Sequence, residues 1–219
     1  MRKSKKYLGE VEWEQLKENL RKGKVYEKLF IDLWDKHFGD FDFLRLIDFR
    51  RKKKPYDFGL GILKDEEDVE ILMKIDIKSQ QTPFKRAKKY VDVKPENCFV
   101  IAVYKIVRGW REQRREGLPY IIVACPIWRE QLFFISYTKA LRILKEKLPF
   151  RFQYWGRSQE NMHYDINTEF LPLDLLFSKL KLLFDRMKTA TTSVDIARLL
   201  FTLEFLQQRK NSELNVKFV

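Results

Sequence analysis

The run Ile71-Leu72-Met73-Lys74-Ile75-Asp76-Ile77-Lys78 constrains this chain more than any other segment. Side chains alternate across a strand, so period two sends Ile71, Met73, Ile75 and Ile77 one way and Asp76 and Lys78 the other. Such a strand needs an apolar layer on one side and a polar cleft on the other. A neighbouring strand expected at Tyr56–Leu63 repeats the pattern, with Tyr56, Phe58, Leu60 and Ile62 on one face and Asp57, Gly59 and Gly61 on the other. Asp57 precedes Asp76 by 19 positions, and Asp65-Glu66-Glu67-Asp68 supplies the reversal between the two strands. Two acids therefore fall at adjacent positions, and the absent side chains of Gly59 and Gly61 are expected to leave room beside them. Asp48, near the end of a strand expected at Phe43–Phe49, competes with Asp57 for this place.

The remaining pattern is mixed. Val11–Phe38 reads as a helix interrupted near Gly23, with Leu29, Phe30, Leu33, Trp34 and Phe38 as its apolar stripe and Glu27 beside it. A second helix is expected at Phe84–Val91. Phe99–Val107 and Tyr120–Ile127 read as buried strands rich in β-branched and aromatic residues, separated by an exposed excursion over Arg108–Pro119. Thr138–Leu148 is again amphipathic. Helix, three strands, helix, two strands, helix is an α/β order. Beyond Pro149 a strand-like Arg151–Trp155 and a polar loop over Arg157–Asp165 precede helices at Leu173–Met187 and Ser193–Leu206. The expected division is a core over residues 1–150 and a mainly helical C-terminal extension over 151–219, packed on the core or used in dimerisation.

Charge narrows the partners. Lys and Arg number 44 against 31 Asp and Glu, a formal net charge of +13, which favours a polyanion. Arg50, Arg51, Lys52, Lys53 and Lys54 form one basic turn just before Asp57, and Lys85, Arg86, Lys88 and Lys89 a second track after Lys78. Both are candidate contacts to phosphates, giving affinity and register but little sequence choice. Trp110 and Trp155 are candidate substrate contacts outside the apolar patterns. The basic N-terminus lacks an apolar signal core and no segment is long and apolar enough to span a bilayer, so no membrane partner is expected and a cytoplasmic protein is. Cys98 and Cys125 lie within or beside apolar runs without zinc-site spacing and read as buried thiols. His37 and His163 have no metal-ligand spacing. The phosphate-loop pattern is missing, so no nucleotide cofactor is expected.

Phosphodiester hydrolysis needs an activated water and positive charge against an anionic transition state. Carboxylates provide both through a metal. Asp57 and Asp76 are the candidate ligands of Mg²⁺, with Mn²⁺ as a substitute, and the Ile77 backbone carbonyl is a further oxygen donor. Lys78, on the same face as Asp76, is placed to orient the attacking water and stabilise developing charge. Gln80 repeats that parity and is a candidate contact to substrate or water.

Pro55-Tyr56-Asp57 followed by Asp76-Ile77-Lys78, with Glu27 in the helical run Gly23-Lys24-Val25-Tyr26-Glu27, resembles the PD-(D/E)XK nuclease superfamily. Archaeal Holliday-junction resolvases and small viral or restriction-type endonucleases are the nearest flavour. The resemblance covers about residues 20–130. It implies a restriction-endonuclease-like mixed central sheet flanked by helices and Mg²⁺-dependent cleavage of DNA, with branched or junction DNA among the candidate substrates. It carries a metal role to Asp57 and Asp76, a catalytic role to Lys78, and a metal or water-orienting role to Glu27. A homodimer is the natural arrangement for cutting two strands symmetrically. Two other readings stay open: a noncatalytic nucleic-acid-binding module on the same fold, and an assembly protein using the helical hairpin over residues 173–206.

Overall fold

The computed structural model describes residues 10–216 apart from 53, 65–67, 86, 88–90, 130, 156–158 and 188–190. The architecture is a mixed six-stranded sheet between two layers, the α/β class expected from the sequence. Helix α1 (Glu10–Phe38) leads into strands β1 (Leu44–Asp48), β2 (Phe58–Leu63) and β3 (Val69–Gln80), an antiparallel meander. β4 (Cys98–Ala102) and helix α2 (Val103–Glu116) then cross to β5 (Tyr120–Pro126), which runs parallel to β3. β6 (Phe133–Ser136) turns back antiparallel and is followed by helix α3 (Tyr137–Arg151). β7 (Phe152–Trp155) and β8 (Gln159–Asp165) pair with β4 in a separate antiparallel sheet. A short helix α4 (Ile166–Glu169), the edge strand β9 (Leu171–Pro172), and helices α5 (Leu173–Met187) and α6 (Ser193–Val216) complete the chain.

β5 is buried along its whole length, as a central parallel strand requires. Its alternate residues join two different cores. Ile121, Val123 and Cys125 meet Phe30 and Trp34 of α1, Phe177 and Phe184 of α5, and Leu200 of α6. Ile122 and Ala124 meet Ile106 of α2, Ala140 and Leu144 of α3, and Met162 and Tyr164 of β8. β5 is therefore dry on both sides. At about 25 cal/mol per Å² of apolar surface, these two cores are the main stabilising contribution.

Several expectations change. α1 passes through Gly23 without interruption, and Leu29 is exposed instead of joining the apolar stripe. β3 carries a bulge: Leu60 pairs with Met73 but Gly61 with Ile71, leaving Leu72 as an extra residue. Parity is reversed there, so Leu72 joins Met73 in the first core while Ile71 turns to the second, and strict alternation holds only from Met73 onward. The face above Gly59 and Gly61 is filled. A Cβ on Gly59 would lie 2.8 Å from the Phe49 ring, and one on Gly61 2.5 Å from Val69.

The expected strand Phe99–Val107 ends at Ala102, and the expected excursion belongs to α2, which closes at Gly117 in a left-handed cap with φ 69°. Half of the helix expected at Phe84–Val91, residues 86 and 88–90, lies outside the described residues. Gln159–Asp165 is a strand where a loop was expected. Cys98 and Cys125 are both buried and form no disulfide. Among the described residues no helix is long and apolar enough to cross a membrane.

Pairing across residue 150 joins β4 to β8 and β6 to β9, while α5 and α6 line the first core. The described residues between 151 and 216 thus pair with strands of the first 150 residues and line the core they share. A chain ending at residue 150 is expected to show no cooperative thermal transition by near-ultraviolet circular dichroism. A native-like signal with a sharp melt would contradict this account.

Candidate active site

β3 presents Lys74, Asp76 and Lys78 to the second side of the sheet. Asp76 is only 3% exposed, and a buried carboxylate needs partners. Tyr137, at the start of α3, donates its hydroxyl to Asp76 Oδ2 at 2.7 Å, and Lys78 Nζ donates to Asp76 Oδ1. Burial first, and then the Asp76 carboxylate, push the Tyr137 phenol well above its ordinary range, so it remains a donor. Gly109 of α2 makes this contact possible: a Cβ there would lie 2.2 Å from the Tyr137 ring.

Asp57 precedes β2 and is fixed at the backbone, where its N–H donates to Ile75 O at 2.9 Å and its carbonyl accepts from Phe49 N at 2.8 Å. The β2–β3 ladder stops at Phe58 and Ile75. β3 outruns it, and the Ile77 N–H beyond the ladder donates to Asp57 Oδ2 at 2.7 Å. Burial, followed by the Asp76 charge, raises Asp57 to about 6, against the lowering effect of Lys78 and the Ile77 N–H. Desolvation and like charge are the two causes that hold catalytic acids out of their normal range.

Asp57, Asp76 and Lys78 line one cavity of about 200 Å³ with Lys54 and Pro55. The opposite wall is α2, through Tyr104, Lys105 and Arg108. The Lys78 ammonium also lies 3.3 Å from the Ile77 carbonyl oxygen. It therefore occupies two of the hard oxygens, Asp76 Oδ1 and Ile77 O, that the sequence offers to a cation. Beneath the site, Lys74 is 5% exposed and donates to Tyr56 Oη at 2.7 Å and to Glu116. Tyr120 Oη donates to the same carboxylate at 2.7 Å. This cluster ties β3, β5, the residue before Asp57 and the end of α2 together.

Other expected residues lie elsewhere. Glu27 does not line the cavity and accepts from Arg50 at 3.0 Å. Asp48 is taken by the same guanidinium at 2.6 Å, so it is Asp57 that adjoins Asp76. Among the described residues no group of three or more His, Cys, Asp or Glu is placed to hold a metal. Gln80 is a clasp between the sheets: its Nε2 donates to Cys98 O at 3.1 Å and Thr82 O at 2.9 Å, and its Oε1 accepts from Val100 N at 2.8 Å. Of the basic turn, Lys54 lines the cavity, Arg50 is held by acids over the Phe58 ring, and Arg51 and Lys52 are exposed. Lys53, Arg86, Lys88 and Lys89 lie outside the described residues, and Lys85 is exposed. Trp110 packs partly against the second core.

Tyr104, Lys105, Arg108 and Tyr137 were missed by the sequence reading. The signal for the first three is present, because Val103, Ile106, Val107 and Trp110 recur at helical spacing. Tyr137 carries no local signal, since its role depends on contact with a strand 61 residues away.

No protein-family model and no curated protein matches the chain. Among solved structures it is similar to D212, a nuclease from a fusselovirus, at 20% identity over 77% of this chain and 94% of that one, with a TM-score of 0.48. It is also similar to Hjc, a Holliday junction resolvase from Archaeoglobus fulgidus, at 13% identity over 72% of this chain and 96% of that one, with a TM-score of 0.40.

The raised Asp57 has a consequence for stability. Below its ordinary value of 3.8 the carboxyl is protonated folded or unfolded, whereas above about 6 the folded state bears the full penalty of ionisation. Asp57→Asn is therefore expected to raise Tm by roughly 2–5 °C above that pH, with the gain shrinking as pH falls. Thermal melts across the acid range measure it. A variant less stable than wild type at neutral pH would contradict the penalty that burial and the Asp76 charge place on ionised Asp57.

Proposed function

We propose that this protein is a metal-dependent endonuclease that hydrolyses DNA phosphodiester bonds. The single observation that carries the reading is the Asp57–Asp76 pair in a cationic cavity, with Lys78 seated on the oxygens of Asp76 and Ile77. A structural ion pair has no need of a second carboxylate, buried beside the first and raised by that burial and then by its charge. The cavity, about 200 Å³, is smaller than the roughly 300–1,000 Å³ typical of small-molecule pockets. It suits a phosphate and water more than a base.

The donor set fits Mg²⁺. This ion binds through one or two carboxylates and keeps several waters, so Asp57 and Asp76, with the Ile77 carbonyl, suffice without Glu27. When bound, the metal would supply Lewis-acid charge and lower the pKa of a coordinated water. Mn²⁺, which favours the same oxygen donors, is the expected substitute.

The chain's own residues do the rest. Asp76 is oriented by the Tyr137 hydroxyl, and Asp57 by the Ile77 N–H, so neither carboxylate must reorganise on binding. Lys78, seated on Asp76 Oδ1 and the Ile77 carbonyl, is the ammonium that would face the attacking water and the phosphate if the two carboxylates held a metal. Lys54 meets the phosphate at the cavity rim. Glu27 acts at a distance, by holding Arg50 and the basic turn, and Gln80 positions the end of β3. The net charge of +13 draws the polyanion toward the cleft. Branched DNA and a two-fold pair of chains belong to the same reading, because symmetric incision of two strands calls for two such clefts.

The test is Mg²⁺-dependent cleavage of linear duplex, single strand, flap, four-way junction and RNA. Wild type is expected to cut DNA with Mg²⁺ and not with EDTA, and Asp76→Asn or Lys78→Ala to reduce the rate by about 10²–10⁴-fold. Wild-type cleavage by either variant would overturn the catalytic assignment. Binding without cleavage by wild type would instead establish a noncatalytic module.

A further inference from the structure

Resting on the nuclease reading, we propose that Lys105 and Arg108 of α2 grip the substrate's phosphate backbone against the Asp57–Asp76 pair, so that α2 is the substrate wall of the cleft. They lie three positions apart, on neighbouring parts of one helical face, and both line the cavity that holds the two acids and Lys78.

Their state differs from that of the other cations nearby. Lys74 is paired with Glu116, Lys78 with Asp76, and Arg50 with Asp48 and Glu27. Among the described residues Lys105 and Arg108 have neither a hydrogen bond nor an ion pair. Lys105 is partly buried. Burial first, and the Lys78 ammonium second, weigh against its charge, opposed by Asp76 and Asp57. Its place in the helix adds to the conflict. Lys105 sits in the first turn of α2, which has no acidic residue and no side-chain cap, where the helix dipole disfavours a cation. A local rule broken without a compensating contact marks a functional position, and a phosphate in the cavity would reverse each of these penalties at once.

The wall is also rigid. Ile106 is fully buried, Gly109 is pressed on Tyr137, and Glu116 at the far end is tied to Lys74 and Tyr120. Gly109 thus joins the two sides of the cleft: the helix that carries Lys105 and Arg108 packs on the tyrosine that orients Asp76. Cations on such a frame meet a phosphate without having to be ordered first. Arg108 offers a planar fork to phosphate oxygens, whereas Lys105 offers a compact charge deeper in the cavity.

The experiment measures DNA binding by Asp76→Asn, expected to cut far more slowly than wild type, in EDTA and as a function of salt. Lys105→Ala and Arg108→Ala are each added to that background, with Arg186→Ala on α5 as control. Each α2 variant is expected to weaken binding roughly tenfold and to lower the slope of log K against log salt by about 1. Lys105→Arg restores most of the loss, and Arg186→Ala changes neither quantity. Melting temperatures are measured in parallel, because a merely structural role would lower Tm and leave the salt slope unchanged. Unaltered affinity and slope in both alanine variants, while Asp76→Asn still binds DNA, would overturn the proposal and leave the nuclease reading intact. Failure of wild type and Asp76→Asn alike to bind any nucleic acid would overturn both.

Discussion

Two carboxylates held side by side in a half-dry cavity are the constraint around which the rest of the structure is arranged. Asp57 and Asp76 repel each other and both lose water, so each needs a donor fixed by the fold. The Ile77 N–H serves Asp57 because β3 runs past the end of β2. Tyr137 serves Asp76 because α3 begins directly after β6 and because Gly109 lets its ring lie close to α2. Lys78 completes the arrangement with an ammonium. Burial first, and then the Asp76 charge, raise Asp57 to about 6, and a fold that retains this penalty forgoes stability at the cavity.

The surrounding architecture makes this arrangement rigid. β3 and β5 pair in parallel from Lys74 to Gln80, and helices and a second sheet cover their two faces. The bulge at Leu72 turns Ile71 into the core above Gly59, so the alternation that delivers Lys74, Asp76 and Lys78 to one face starts only after it. Gln80 then fastens the end of β3 to β4, the strand that leads into α2. The cavity-lining cations of α2, Asp76 on β3 and Asp57 just before β2 are therefore parts of one braced unit.

Local pattern carried the sequence reading a long way. Period two placed Asp76 and Lys78 on one face, and the turn before Phe58 brought Asp57 beside them, because strand pairing over a short hairpin is set by nearby residues. What failed depended on distant partners. The run at Phe99–Val107, rich in β-branched residues, reads as one strand, yet β4 stops at Ala102 and α2 begins, with Gly109 and Ile106 packed against α3 and the sheet. Gly59 and Gly61 signal open space only if nothing else comes near; Phe49 and Val69 fill it. Glu27 and Gln80 have the right chemistry but spend it on Arg50 and the β4 backbone. The strand at Gln159–Asp165 is defined by pairing with β4, about 60 residues earlier, which no local periodicity encodes.

The burial of the two acids side by side is the central claim, and the carboxyl ¹³C shift of Asp57 tests it when followed against pH with and without Mg²⁺. The account predicts a midpoint near 6 in the metal-free protein, moving to lower pH when Mg²⁺ is added, because a divalent cation stabilises the ionised pair. A metal-free midpoint near the ordinary value of 3.8, unmoved by Mg²⁺, would contradict it.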